Sequence, residues 1–217
     1  MTRALSAALA CIALGAALQL ARADDLLDFQ PGGYIHIDNS FGYLTVEGWD
    51  EPKVEVTVVN PAGQIRVVTE RRSDRELAIF TTRPARRAFP FSILASPPFR
   101  HNATLECRVY LPRDSRVAVH HGYGYVWVSD VSGDVEVDSH TGDMIVMLPD
   151  PGRYSIDAKT GLGRISSDLT GHGNERILVG SHFVHAEQAP ARRIFLRMGR
   201  GSITIKNGPP SGPFWKD

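Results

Sequence analysis

The sequence predicts an all-β fold, a single-domain β-solenoid or β-helix-like stack of short strands with coils of about 19 residues. Three observations carry this expectation. Apolar residues recur with period two in many short runs, helical spacing is nearly absent beyond the first 23 residues, and glycines return at a regular interval. The alternative that fits the same short strands is an antiparallel β-sandwich.

Taken in order, the chain opens with Arg3, an apolar stretch from Ala4 to Leu20, and Ala21-Arg22-Ala23 ahead of two aspartates. That order of basic, apolar and small residues is a secretory signal peptide over 1–23. Its apolar part is too short for a stable membrane anchor, and no later segment is apolar enough to span a bilayer as a helix. Cys11 raises a lipoprotein signal as an alternative, although Ala8-Leu9-Ala10 is a poor lead-in. Cleavage after Ala23 leaves Cys107 as the one cysteine, so packing rather than a disulfide must hold the mature fold. It also removes Arg3 and Arg22 and no acid, turning 24 basic against 24 acidic residues into 22 against 24. A balance this close to neutral gives no broad pull toward nucleic acid.

Strands are predicted around 35–37, 44–46, 54–58, 65–67, 77–79, 105–109, 117–119, 126–128, 135–137, 144–146, 154–156, 165–167, 177–179, 183–185, 194–196 and 203–205. Between them lie the Gly, Asp, Asn, Pro and Ser that turns demand. A glycine-led unit, Gly-x-apolar-x-apolar in its clearest copies, starts at Gly124, Gly142, Gly163, Gly180 and Gly201, with intervals of 18, 21, 17 and 21. Gly133, Gly152 and Gly173, with Ala191 in the equivalent place, form an interleaved ladder. A strand of this length cannot bury its apolar face alone and must stack on copies of itself. Val126 with Val128, and Val135 with Val137, are expected inward, and Trp127 and Glu136 outward.

The domain expected over 24–208 is interrupted by a Pro- and Arg-rich insert at 83–101, and a tail follows at 209–217. The insert's prolines exclude a central strand. Its Phe89, Phe91, Ile93, Leu94 and Phe99 suit either a cover over an open end of the sheet or contact with a partner or membrane surface.

Several stretches resemble a known bacterial group. They are Ile37-Asp38-Asn39-Ser40-Phe41-Gly42-Tyr43-Leu44-Thr45-Val46-Glu47-Gly48-Trp49-Asp50, Gly133-Asp134-Val135-Glu136-Val137, Thr141-Gly142-Asp143-Met144-Ile145-Val146 and Ala158-Lys159-Thr160-Gly161-Leu162-Gly163-Arg164-Ile165. The group is the putative-adhesin β-strand-repeat family, a domain of unknown function. The resemblance implies a cell-envelope or secreted solenoid-like domain and brings no catalytic residues. The insert and a His-rich coil region depart from it.

Chemistry-bearing residues divide into four groups. Tyr123, Tyr125 and Trp127 alternate with Gly124, Val126 and Val128 and are expected on one face, a platform for a sugar or a protein partner. Arg71, Arg72, Arg75, Arg83, Arg86 and Arg87 form one basic cluster and Arg192, Arg193, Arg197 and Arg200 another. They suit either carboxylates and phosphates of acidic glycans or ion pairs with Glu70, Asp74 and Glu76 on a solvated edge. His120, His121 and His140 are candidate zinc or copper ligands one repeat apart, against the reading that surface turns tolerate histidine. Asp130, Asp134, Asp138 and Asp143 sit in turns, where an Asp most often bonds its own backbone and calcium is the alternative. Cys107 shares the parity of Leu105 and Val109 and is expected inward and inert.

No nucleophile elbow, zinc-hydrolase helix motif or phosphate-cradling loop is present. The expectation is therefore a non-enzymatic exported structural or binding module without a cofactor, periplasmic or on the cell surface. Candidate partners are a glycan or another envelope protein. A stress or signalling accessory and a glycan-active β-helix enzyme are the alternatives.

Overall fold

The computed structural model describes residues 18–19, 25–59, 66–82, 105–176, 180–186 and 192–208. The insert, the tail, the predicted strand at 177–179 and most of the predicted leader lie outside them. Strands in chain order are β1 (Leu18–Gln19), β2 (Asp25–Asp28), β3 (Tyr34–Trp49), β4 (Lys53–Val59), β5 (Arg66–Ser73), β6 (Glu76–Thr82) and β7 (Glu106–Pro112). They continue as β8 (Arg116–Ser129), β9 (Val135–Leu148), β10 (Tyr154–Leu162), β11 (Ile165–Ser167), β12 (His172–Arg176), β13 (Gly180–His185) and β14 (Arg192–Asn207). Among the described residues there is no α-helix, and one 3-10 turn at Pro151–Arg153 precedes β10. The described residues are thus all-β, and their 14 strands form one mixed sheet.

Four strands are long, 16, 14, 14 and 16 residues in β3, β8, β9 and β14. Each joins two of the predicted short strands through a glycine in the left-handed region. Gly42, Gly124, Gly142 and Gly201 have φ of 100°, 131°, 138° and 137° and occupy one register position across β3, β8, β9 and β14. A Cβ on Gly142 would stand 1.6 Å from the Gly124 carbonyl oxygen, one on Gly201 1.6 Å from that of Gly142, and one on Gly163 1.7 Å from that of Gly201. The glycines therefore bend each strand into two arms while letting neighbouring backbones touch.

Pairing along this core is parallel and in register, β3 with β8, β8 with β9, β9 with β14 and β14 with β10 and β11. Beyond β3, β6 on the first arm and β7 on the second still pair in parallel, and antiparallel strands follow, β5 on β6, β4 on β7 and β2 on β4; beyond β10 lie β13 and β12, both antiparallel. Leu18 and Gln19, inside the predicted leader, pair with β5.

The stack does not follow chain order. β7 and β8 are consecutive, yet β3 lies between them; β9 and β10 are consecutive, yet β14 lies between them. The glycine ladder accordingly runs Gly42, Gly124, Gly142, Gly201, Gly163. Gly180, expected to continue it, instead begins β13, antiparallel to β10, where a Cβ would lie 2.1 Å from the Thr160 carbonyl oxygen.

Alternation sets burial. Ile35, Ile37, Val119, Val126, Val128, Val137, Leu196 and Ile205 are all at most 1% exposed and belong to one apolar cluster fed by both arms. Each such side chain contributes about 1.5–3 kcal/mol on burial. Glu136 between Val135 and Val137 is exposed and Trp127 between Val126 and Val128 is half-buried, as the pattern requires.

Candidate functional site

The outward residues of the second arm make two cross-strand rows over β7, β3, β8 and β9. One row is Glu106, Tyr43, Tyr125, Asp143; the next is Arg108, Thr45, Trp127, Ile145. Together they line a groove of about 390 Å3, at the small end of ligand-binding pockets. Thr45 is the small member of its row, between a guanidinium and an indole.

Tyr43 and Tyr125 stack with ring centroids 4.9 Å apart and planes 8° from parallel. They remain 44% and 48% exposed, so each ring keeps one face turned from its partner. Rings of this size ordinarily seek cover. At one end of the row, Glu106 accepts a hydrogen bond from Arg108 Nε at 2.6 Å, and this pairing holds the guanidinium above its ordinary value. At the other end, Asp143 accepts the Ser202 amide at 3.2 Å and the Ser202 hydroxyl. Both carboxylates are thus held in place by neighbours.

A third row extends the surface. Glu47 lies in register with Tyr110 and Ser129, and Trp49 stacks on Tyr110 at 5.5 Å. Burial, then the nearby Asp130 carboxylate, raises the Glu47 carboxyl above its usual range, and its Oε2 has no hydrogen-bond partner.

Of the aromatic stripe, Tyr125 and Trp127 line the groove and Tyr123 does not. Gly124 lies between, and its bend puts Tyr123 before the corner, in register with Phe41 and Thr141. The sequence reading missed Tyr43, Glu106 and Arg108. A signal for Tyr43 existed, because Phe41-Gly42-Tyr43 repeats the aromatic-Gly-Tyr pattern of Tyr123-Gly124-Tyr125. Glu106 and Arg108 carried none, since the insert separates β7 from β3 and only parallel pairing joins them.

The described members of the basic clusters do not line the groove. Arg72 pairs with Glu76 at 3.1 Å, Arg71 with Asp74 at 3.8 Å, and Arg75 Nε donates to Gln30 at 2.9 Å, all on a solvated edge. Arg83, Arg86 and Arg87 lie outside the described residues. Arg197 forks onto Asp157 at 3.0 and 3.2 Å, holding that carboxyl below its usual range, and its guanidinium carbon sits 3.5 Å over the Phe195 ring.

The histidines separate. The coil from β8 to β9 is 18 residues, so His121 aligns with Ser139, and His140 falls one position further on. His121 is 3% exposed, while His120 and His140 are exposed. Burial lowers the His121 imidazole to about 4. Its Nδ1 accepts from Asn39 Nδ2 at 3.2 Å, and Asn39 Oδ1 accepts from Thr81 Oγ1 at 2.6 Å. His120 instead meets His36, ring centroids 5.2 Å apart. Among the described residues no three His, Cys, Asp or Glu side chains converge as metal ligands. Of the four aspartates expected in turns, Asp130 reaches Arg113 at 3.4 Å and Asp134 accepts the Arg193 amide at 2.9 Å, whereas Asp138 and Asp143 lie within β9, because the glycine bends a continuous strand where a turn was expected. Cys107 is fully buried, which pushes its thiol up to about 12.

No family model matches the chain, and no curated protein matches it. A likeness does appear among solved structures. The fold is similar to that of a solved bacterial protein. That protein is described as a putative cell adhesion protein from Clostridium sporogenes; the match covers 85% of this chain and 99% of that one, with a TM-score of 0.50 and 12% identity. A looser match, to a putative adhesin from Bacteroides fragilis, covers 84% and 95% with a TM-score of 0.28 and 11% identity. At such identity the Clostridium likeness concerns the fold. No helix among the described residues is long and apolar enough to cross a membrane.

Proposed function

We propose that the chain is an exported, non-enzymatic binding module of the cell envelope, adhesin-like, and that it recognises its ligand through the Tyr43, Tyr125 and Trp127 groove. The observation that carries this reading is the exposed Tyr43–Tyr125 pair, set on a rigid parallel stack and flanked by anchored charges. A side-chain set held by four adjacent backbones is pre-organised, which limits the ordering cost of binding.

The in-register parallel arms and the continuous glycine ladder favour a β-solenoid-like scaffold over an antiparallel sandwich. A sandwich built of hairpins would not align Gly42, Gly124, Gly142 and Gly201. Export rests on the leader pattern over 1–23, and the fold likeness to a protein described as a putative cell adhesion protein is consistent with an envelope location. A non-enzymatic role fits a groove whose two carboxylates are engaged by Arg108 and by Ser202.

The test is retention of the full chain on isolated bacterial envelopes. The double variant Tyr43→Ala/Tyr125→Ala is expected to lose retention, and Arg72→Ala, on the distant solvated edge, to keep it. Equal retention by all three proteins would remove the groove from the function. Export is tested by the mass of the secreted product, expected to begin at Asp24; a product still carrying residues 1–23 speaks against it.

A further inference from the structure

The groove's own chemistry narrows the ligand class, an inference that rests on the reading of this groove as the recognition surface. Two carboxylates, Glu106 and Asp143, face one guanidinium, Arg108, so the lining carries one net negative charge. Arg108, the basic residue of the lining, is already committed to Glu106. An anionic ligand would therefore meet a net like charge in the lining, with no second lining cation to receive it.

Ring faces and anchored polar ends are what a pyranose needs. Its C–H faces pack on aromatic rings, and its hydroxyls bridge carboxylates and guanidinium groups. Tyr43 offers its free face toward the Glu106 side and Tyr125 toward the Asp143 side, because the row order is Glu106, Tyr43, Tyr125, Asp143. Each ring face is thus paired with a carboxylate at the same register position. Trp127 in the next row adds an indole beside Thr45. A peptide strand is less suited, since the groove lies on a sheet face whose backbone groups are already paired.

We infer that the groove binds a neutral or amine-bearing saccharide and discriminates against uronic, sulfated and phosphorylated glycans. This reverses the acidic-glycan reading that the arginine count invites. The discrimination is electrostatic, so it is strongest at low ionic strength and shrinks as salt is added.

The experiment presents the full chain to arrayed oligosaccharides of hexoses, N-acetylhexosamines, free hexosamines and hexuronates, followed by calorimetry on the best binder. Neutral or amino oligosaccharides are expected to bind, and their hexuronate counterparts to bind at least about tenfold more weakly at low salt. Tyr125→Ala and Trp127→Ala are expected to weaken binding on the order of thirtyfold. Arg72→Ala, paired with Glu76 on the solvated edge away from the groove, is expected to bind as the parent does. Hexuronates binding as tightly, or no neutral or amino oligosaccharide binding, overturns the inference, as does indifference to loss of both rings. If envelope retention still depends on Tyr43 and Tyr125 while the sugars fail, only the ligand class falls. If retention is independent of them, the groove itself is not the recognition surface.

Discussion

Tyr43 on β3 and Tyr125 on β8 stack face to face at 4.9 Å although 81 residues separate them in the chain. The contact exists because parallel pairing sets Gly42 beside Gly124, and each tyrosine follows its glycine. A double-mutant cycle with Tyr43→Ala and Tyr125→Ala is expected to show a coupling of about 0.5–1.5 kcal/mol in urea unfolding. Strictly additive losses would mean that the rings do not interact in solution.

Acid should destabilise the protein through His121. Its imidazole is held to about 4 by burial, below the ordinary 6.5. The unfolded chain takes up the proton first as pH falls, so the stabilisation present above pH 6.5 is lost between 6.5 and about 4. The full swing is about 3 kcal/mol. His121→Gln is expected to flatten stability against pH in that window, and an unchanged profile would assign the acid sensitivity elsewhere.

The glycine ladder admits no side chain. Gly142→Ala places a methyl 1.6 Å from the Gly124 carbonyl oxygen at a φ of 138°. A loss above about 4 kcal/mol, or failure to fold, is expected. Gly152→Ala is the matched control, because the nearest atom to its Cβ is Asp150 Oδ1 at 3.8 Å. It should fall within about 0.5 kcal/mol of the parent in the same unfolding assay.

Tyr154 is the largest fully buried side chain among the described residues, and its hydroxyl donates to the Val131 carbonyl at 3.0 Å, closing the turn between β8 and β9 onto β10. Tyr154→Phe keeps the ring and strands that carbonyl. A loss of about 1–3 kcal/mol is expected. Thermal unfolding at matched pH measures it, and no change would mean that water replaces the bond at no cost.

Local residues announced the strands and their faces. Val117, Val119, Val126 and Val128 are inward because alternation with His120, Tyr125 and Trp127 leaves no other arrangement. The corner glycines were visible too, though the reading that began at Gly124 passed over Gly42. The one-residue offset of His140 was legible in the sequence, since His121 and His140 are 19 residues apart whereas Gly124 and Gly142, which the register aligns, are 18 apart. That offset is what sends His121 inside and His140 outside.

By itself, then, the sequence determined an all-β chain of glycine-bent strands with alternating faces. These follow from sterics within a few residues, the left-handed φ that only glycine takes cheaply and the pleat that turns successive side chains apart. The tertiary structure alone decided which strand lies beside which. β3 and β14 present the same apolar and glycine pattern as their neighbours, so local energetics leave their place in the stack open. The placement of β3 between β7 and β8, and of β14 between β9 and β10, is chosen by the burial of the whole stack. That choice brings Glu106 and Arg108 beside Tyr43 and assembles the groove.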